Sequence, residues 1–305
     1  MDITFPALTT LNNAVSLAYN TQFLSAERRC DPFVFDATST GDAEVYPRLD
    51  LIGGLREWVG ERVVERLSVS SFSITNKTFE KTISVARNNL EDDKYGFLSP
   101  AASQLGLNAA QLKDLLIAKL LVNGQSATGF DGVSFFANNH PTYAADGSAT
   151  TVANYSTGAG PAWYLFDTRA VIKPLIWQTR RPFQIIPKFS MTDPQVFWNQ
   201  EFEWGVDGRC NAGYGLWHWA YKSTAAMTVA NITAARTSMA SIRRPDGAPM
   251  GIKPTLLVVP TTLYPDAKAY AENEFIPIDG TTGATTLGPN PLRGLFSALE
   301  NEWLN

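Results

Sequence analysis

Cysteine and histidine are almost absent from this chain of 305 residues, which carries two of each: Cys30 and Cys210, His140 and His218. Two thiols so far apart in sequence cannot staple a secreted disulfide framework and fit no zinc-ligand spacing. Both are read as reduced thiols of a cytoplasmic product, buried independently, with a bond between two subunits as the alternative. In such a compartment the sequons at Asn76, Asn154 and Asn231 carry no glycan. Any imidazole catalysis or metal binding has to centre on one of the two histidines.

An excess of positive charge is also missing. The Lys and Arg residues number 25 against 29 Asp and Glu, leaving a formal net charge of -4 and a pI near 5.3. That balance excludes a protein that grips nucleic acid by neutralising a row of phosphates. No run approaches the roughly 20 apolar residues that span a bilayer as a helix. The opening MDITFPALTTLNNAVSLAYN has neither a basic n-region nor a long apolar h-region, so it is not a signal peptide, and Met1 is expected to be a retained initiator with no long leader removed. No GxGxxG, Walker A, GxSxG or paired CxxC pattern occurs. What the chain does have is 45% hydrophobic and 18% charged residues, enough to bury a core as one large domain or two smaller ones.

Leu8, Leu11, Val15, Ala18 and Phe23 make a helical stripe near the N-terminus. Cys30 to Pro47, rich in Asp, Thr, Ser, Gly and Pro, has the composition of an extended, irregular arm. Leu51 to Asn76 reads as a long two-stranded excursion, and Thr78 to Arg87 alternates cleanly enough to be a strand. The longest helix is predicted from Ser99, an N-cap before Pro100, to Asn123 and Gly124, with Gly106 and Asn108 as points where it kinks or divides. Leu112, Leu115, Leu116, Ile117, Leu120 and Leu121 leave its second half apolar around most of its circumference, so it is expected to be buried on several sides.

Phe130 to Pro161 is expected to be mainly loop. Trp163 to Ser223 is strand-like and aromatic, with a long antiparallel pair turning near Met191 to Pro194. Thr228 to Ile242 has apolar residues at helical spacing, Leu256 to Val259 is a buried strand, and Pro265 to Asn273 is a short helix. A Gly/Thr-rich loop from Asp279 to Gly288 then leads to a terminal strand at Leu295 to Leu299. No internal repeat is present.

Four features could carry chemistry. His140, in a Gly/Asn-rich loop, could act as a general base with Asp131 nearby in sequence; the plainer reading is a surface or turn residue, since no nucleophile motif accompanies it. His218, between Trp217 and Trp219, is better explained by packing. The run Glu91, Asp92 and Asp93 could hold a divalent cation, although adjacent carboxylates more often form a solvated cluster that favours a helix start. The aromatic segment with Arg180, Arg181 and Arg209 could stack single-stranded nucleic acid, but three arginines on an acidic chain fit a packed sheet or a subunit interface better. No catalytic, cofactor-binding or metal-binding residue is therefore assigned, and no cofactor is expected. A substantial core, long extended excursions and many aromatics describe an assembly subunit: ordering an arm costs about 1–2 kcal/mol of backbone entropy per residue, which partner surfaces must offset.

Seven segments in shared order carry a resemblance: EWVGER at Glu57 to Arg62, ITNKTFEKTISVARNNLEDDKYG at Ile74 to Gly96, LLVNG at Leu120 to Gly124, FDGVSFFANNHP at Phe130 to Pro141, AWYLFDT at Ala162 to Thr168, NAGYGLWHWA at Asn211 to Ala220, and LLVVP at Leu256 to Pro260. Together they resemble the Mu-like bacteriophage major head subunit family over most of the chain from Glu57 onward. The resemblance implies an α+β chain of the Hong Kong-97 phage capsid fold. On this pattern, residues 1–46 are the N-terminal arm and 47–77 the E-loop. Residues 78–129 and 155–223 are the peripheral domain with its spine helix and long sheet, and 130–154 and 224–305 the axial domain. In the generic fold the long peripheral strands close the chain, whereas here the candidate pair precedes the segment that looks axial.

The resemblance further implies a major capsid protein, made in the bacterial host cytoplasm and assembled into pentamers and hexamers of an icosahedral virion head around double-stranded DNA. It also implies a scaffold and protease, a portal and a minor or decoration capsid protein as partners, and no membrane. An encapsulin-like compartment shell and a soluble enzyme using His140 are the alternatives. Covalent chain-mail, known elsewhere in this fold, needs an E-loop lysine, and the tip here offers Arg56, Arg62 and Arg66 with no lysine before Lys77. A reducing denaturing gel of purified particles is expected to give one monomer band; a ladder of covalent oligomers would refute a non-crosslinked shell.

Overall fold

The computed structural model describes residues 4–47, 71–92, 96–279 and 285–305. The chain opens with α1 (Phe5–Ser25), whose Thr4 side chain accepts from the Ala7 N–H at the N-cap and so satisfies one of the amides a helix start leaves free. Its predicted stripe is the packed face: Leu8, Val15 and Tyr19 are buried, and Leu11, Ala18 and Phe23 lie against them. Strand β1 (Val34–Thr38) follows, then β2 (Ala43–Pro47) and β3 (Ser71–Thr75), an antiparallel pair. The excursion expected between Leu51 and Asn76 lies outside the described residues except for this base.

Strand β4 (Lys77–Ala86) matches the expected strand, and a short helix α2 (Arg87–Glu91) leads on to α3 (Leu98–Asn123). Helix α3 starts one residue before Ser99, and Phe97 at its cap makes no side-chain hydrogen bond, so the serine cap is not used. It is also undivided. A Cβ on Gly106 would come within 2.4 Å of the Tyr19 carbonyl oxygen; the glycine is there to let α1 lie close against α3.

Residues 130–161 are less loop-like than expected. They hold the hairpin of β5 (His140–Tyr143) and β6 (Ala149–Val152) and the short strand β7 (Tyr155–Ser156). Next come β8 (Trp163–Phe166), the long strand β9 (Leu175–Lys188), a one-turn helix α4 (Pro194–Asn199), the long strand β10 (Glu201–Tyr214) and β11 (Ala220–Ser223). Strands β9 and β10 are the expected antiparallel pair. Helix α5 (Val229–Ala240) is capped by Thr228, β12 (Leu256–Val259) is buried throughout, and α6 (Tyr264–Glu272) follows. The expected loop at 279–288 is instead flanked by a hairpin, β13 (Phe275–Asp279) with β14 (Thr285–Pro289), before the terminal strand β15 (Ser297–Glu300).

Two larger sheets organise these elements. One has the order β1-β9-β10-β4, the other β15-β12-β8-β11-β7. In the second, β8 and β11 are antiparallel neighbours, and the whole β9–β10 hairpin is inserted between them in sequence. Strands β8 and β11 therefore belong with the C-terminal strands, not with the long pair that separates them along the chain.

Each sheet has its own core. Even-numbered residues of β10, Phe202, Trp204 and Val206, face the α1–α3 pair with Leu98, Ala102 and Leu105, as the two-residue period of a strand requires. The larger core gathers Trp163, Leu165, Leu257 and Val259 from the second sheet, Ile232 and Met239 from α5, and Ile117 and Leu121 from α3. The first half of α3 thus serves one core and its second half the other; in that second half Ile117, Ala118 and Leu121 are buried, while Leu112, Leu115, Leu116 and Leu120 are half-buried and Val122 is exposed, so the expected burial on several sides is only partly met.

The segment expected to be an irregular arm is also tied down. Strand β1 pairs in parallel with β9, the Asp114 carboxylate accepts the Arg29 and Cys30 N–H groups at 3.2 and 2.9 Å, and Lys113 bridges Asp31 and Asp36 at 2.6 and 2.7 Å. Composition hid this, because the partners sit on α3 some eighty residues on. Replacing an exposed helical glycine by alanine ordinarily stabilises by about 1 kcal/mol. Gly106→Ala is expected to destabilise instead, by roughly 1–3 kcal/mol of overpacking, seen as a lower midpoint in urea unfolding; a rise would contradict the close helix contact.

Candidate functional site

His140 begins β5, and the structure brings Asp131 to it. The ring is fully buried, not on the surface or in an open turn as expected. Its Nδ1 lies 2.7 Å from Asp131 Oδ2 and its Nε2 3.1 Å from Asn154 Oδ1. The Asn154 amide has a fixed orientation, because its Nδ2 donates to the Phe135 carbonyl at 2.8 Å and its Oδ1 accepts from the Ala137 N–H at 2.8 Å. Trp217 stacks on one imidazole face at 4.0 Å between centroids, and His218 stacks on the far side of Trp217 at 3.9 Å.

This arrangement spends the chemistry it contains. A general base needs a lone pair within reach of a substrate proton, and here both ring nitrogens are engaged by oxygens of the same chain in a site closed to solvent. What the cluster does is hold the 129–140 segment to residue 154 and to the 217–219 turn. Burial raises the Asp131 pKa, but the His140 hydrogen bond and charge, with the Val133 N–H, outweigh it, so the carboxyl titrates below its ordinary value.

The other candidates are equally committed. Arg181 pairs with Asp207, Arg209 with Asp42, and Arg180 donates to the Ser39 carbonyl at 3.4 Å, so the aromatic segment is not a free cationic platform. Its tryptophans Trp163, Trp204 and Trp217 are fully buried. Glu91 binds Arg87 within α2 at 2.9 Å, Asp93 lies outside the described residues, and no group of three metal-ligating side chains occurs among the described residues. Cys30 and Cys210 are separate buried thiols, and burial pushes Cys210 up to about 12. Asn76 and Asn154, in two of the sequons, are buried.

Sequence reasoning missed a second cluster, at the C-terminus of α3. The last carbonyls of a helix have no partner within it, and cations are favoured there. Tyr214 donates to the Leu120 carbonyl at 2.7 Å, and Lys222 Nζ to those of Leu121 and Val122 at 3.2 and 3.0 Å. The Lys222 ammonium also lies 5.7 Å from the ring centroids of both Phe136 and Tyr164, a cation–π geometry. Burial lowers its pKa. Just beyond, a Cβ on Gly124 would meet the Phe136 ring at 2.5 Å, so the glycine at this helix end serves close packing. The only sequence signal for the cluster was a lysine in an otherwise apolar strand.

Two sheets joined by a long helix, with long strands inserted into the second, are the architecture of a phage major capsid subunit of the Hong Kong-97 fold. The structure superposes on a chain of the procapsid of bacteriophage JBD30 with a TM-score of 0.80 and 32% identity, covering 99% of this chain and 100% of that one. The family model for the Mu-like prophage major head subunit gpT matches residues 8–304, and the chain belongs to that family. It is 34% identical over 272 residues to the major capsid protein of Escherichia phage Mu, covering 87% of this chain and 88% of that protein. It is likewise 34% identical over 252 residues to the Mu-like prophage FluMu major head subunit of Haemophilus influenzae, covering 79% and 81%. The chain is a structural capsid subunit and not an enzyme.

A depressed carboxyl contributes stability that is present above its unfolded value, about 3.9 for Asp, and lost as pH falls through the lower folded value. The melting-temperature gap between the wild-type subunit and Asp131→Asn is therefore expected to shrink as pH is lowered from 5 to 2. A gap that stays constant or widens over that range would remove the ion pair from the account.

Proposed function

We infer that the chain assembles with itself into pentamers and hexamers of an icosahedral tailed-phage head that encloses double-stranded DNA. The observation that carries this is a division of labour between inside and outside. The polar groups that could do chemistry are used up in internal bonds, while large apolar side chains stand in solvent: Trp198 is 78% exposed and Phe197 69% at the tip of the long hairpin, and Leu287 is 75% exposed on β14. Exposed aromatics of this kind are the anchors that subunit contacts use.

The four-stranded sheet with α1 and α3 suits the peripheral domain, and the five-stranded sheet with α5 and α6 the axial domain. On that reading β8 and β11 pass to the axial domain, and the long hairpin is an insertion into it, which accounts for the order of segments along the chain. Packaged DNA meets an acidic subunit, so contact with it is weak and indifferent to sequence. A scaffold and protease, a portal and a minor or decoration protein are the further partners this role calls for. The subunit is made in the host cytoplasm, and no described helix is long and apolar enough to cross a membrane. An encapsulin-like role has no observation in its favour.

Electron microscopy of the chain co-expressed with its neighbouring head genes is expected to show closed shells built from this subunit. Only dispersed subunits under those conditions, or shells made without it, would overturn the reading.

A further inference from the structure

We propose that the groove between α5 and the segments leading into β12 and β15 is a docking site for a carboxylate side chain of a second copy of this chain, gripped by Arg236 and Lys253. The inference rests on the self-assembly argued above and names one of its contacts. The groove has a volume of about 470 Å³, a floor that includes Ile252, Leu292 and Leu295, and no acidic residue in its lining.

Arg236 differs from most of the other described arginines, which have a carboxylate partner or, like Arg180 and Arg243, donate to a backbone carbonyl. Arg29, Arg87, Arg169, Arg181 and Arg209 each have a carboxylate partner. Arg236 is half-buried, and among the described residues neither its guanidinium nor the Lys253 ammonium has a hydrogen-bond or ion-pair partner. Burial disfavours its charged form and pulls its pKa down. A guanidinium beside an apolar floor, with its donors unused, is built for a planar anion that arrives with a surface of its own.

The occupant follows from charge and shape. A DNA backbone offers a line of hydrated phosphates and calls for a line of cations, whereas this groove offers two cations over aliphatic carbon. Each copy of the chain also exposes carboxylates outside the groove: Asp266 and Glu272 of α6 are exposed and form no ion pair among the described residues. A cationic groove and free carboxylates on different patches of one subunit are complementary only between copies placed head to tail, the kind of contact that closes into rings.

The test uses shells of the full chain assembled from a mixture of isotope-labelled and unlabelled subunits. After treatment with a carbodiimide, which joins amines to touching carboxylates, mass spectrometry is expected to find Lys253 coupled to an Asp or Glu in peptides of mixed isotopic origin. Arg236→Gln is expected to lower shell yield at least tenfold and Arg236→Lys to keep most of it, with the melting temperature of the unassembled subunit unchanged in both. Intact shells without a Lys253 cross-link, or full yield from Arg236→Gln, overturn the docking site and leave the shell reading standing. Failure of the unaltered chain to form shells overturns the shell reading instead. Protection of Lys253 from acetylation in DNA-filled but not in empty shells assigns the groove to phosphate and equally defeats the proposal.

Discussion

The end of α3 is the point on which the rest of the structure depends. The last turn of α3 lies against both sheets, where the Leu120, Leu121 and Val122 carbonyls take side-chain donors, and a buried unpaired carbonyl costs about 1–3 kcal/mol. Tyr214 and Lys222 remove that cost from the two sides: Tyr214 closes the long strand β10, and Lys222 sits in β11 of the other sheet. One helix terminus thereby fixes the position of both sheets. The lysine is tolerated in the core because two carbonyls and two aromatic rings replace its water, without a carboxylate whose own desolvation would have to be offset.

The His140 cluster works on the same principle one layer away. Asn154 holds two backbone groups and the imidazole at once, and the indole of Trp217 closes the site from above. Buried polar networks are costly unless their members are satisfied; Asp131, His140 and Asn154 satisfy one another and the Val133, Phe135 and Ala137 backbone groups, whereas the Trp217 indole N–H is buried with no hydrogen-bond partner among the described residues. A histidine and aspartate that could be mistaken for a catalytic pair are instead the clasp of a surface segment.

What was legible in the sequence was whatever depended on local periodicity. The stripe of α1, the apolar second half of α3, the alternation of β4, the run Leu256 to Val259 and the long antiparallel pair all appear where their patterns lie. What was not legible depended on residues far apart in sequence. Lys113 and Asp114 look like a solvated turn of helix until Asp31, Asp36 and the Cys30 amide arrive. Gly106 looks like a helix breaker until Tyr19 is laid against it. His140 looks like a loop residue because Asp131 and Asn154 are its partners only once the hairpin is folded. The assignment of β8 and β11 to one sheet had no local signal, since both are short and they pair across the whole long hairpin that separates them in sequence.

That insertion has a mechanical consequence. The β9–β10 hairpin projects about 45 Å at the usual rise per residue, and its two roots lead to strands that are hydrogen-bonded side by side. The hairpin does not carry a load alone: β1 and β4 flank it, and α1 and α3 pack on β10. A force taken up near Trp198 therefore reaches the second sheet by two routes, through the β8–β11 ladder and through the end of α3, where Tyr214 and Lys222 bind its carbonyls.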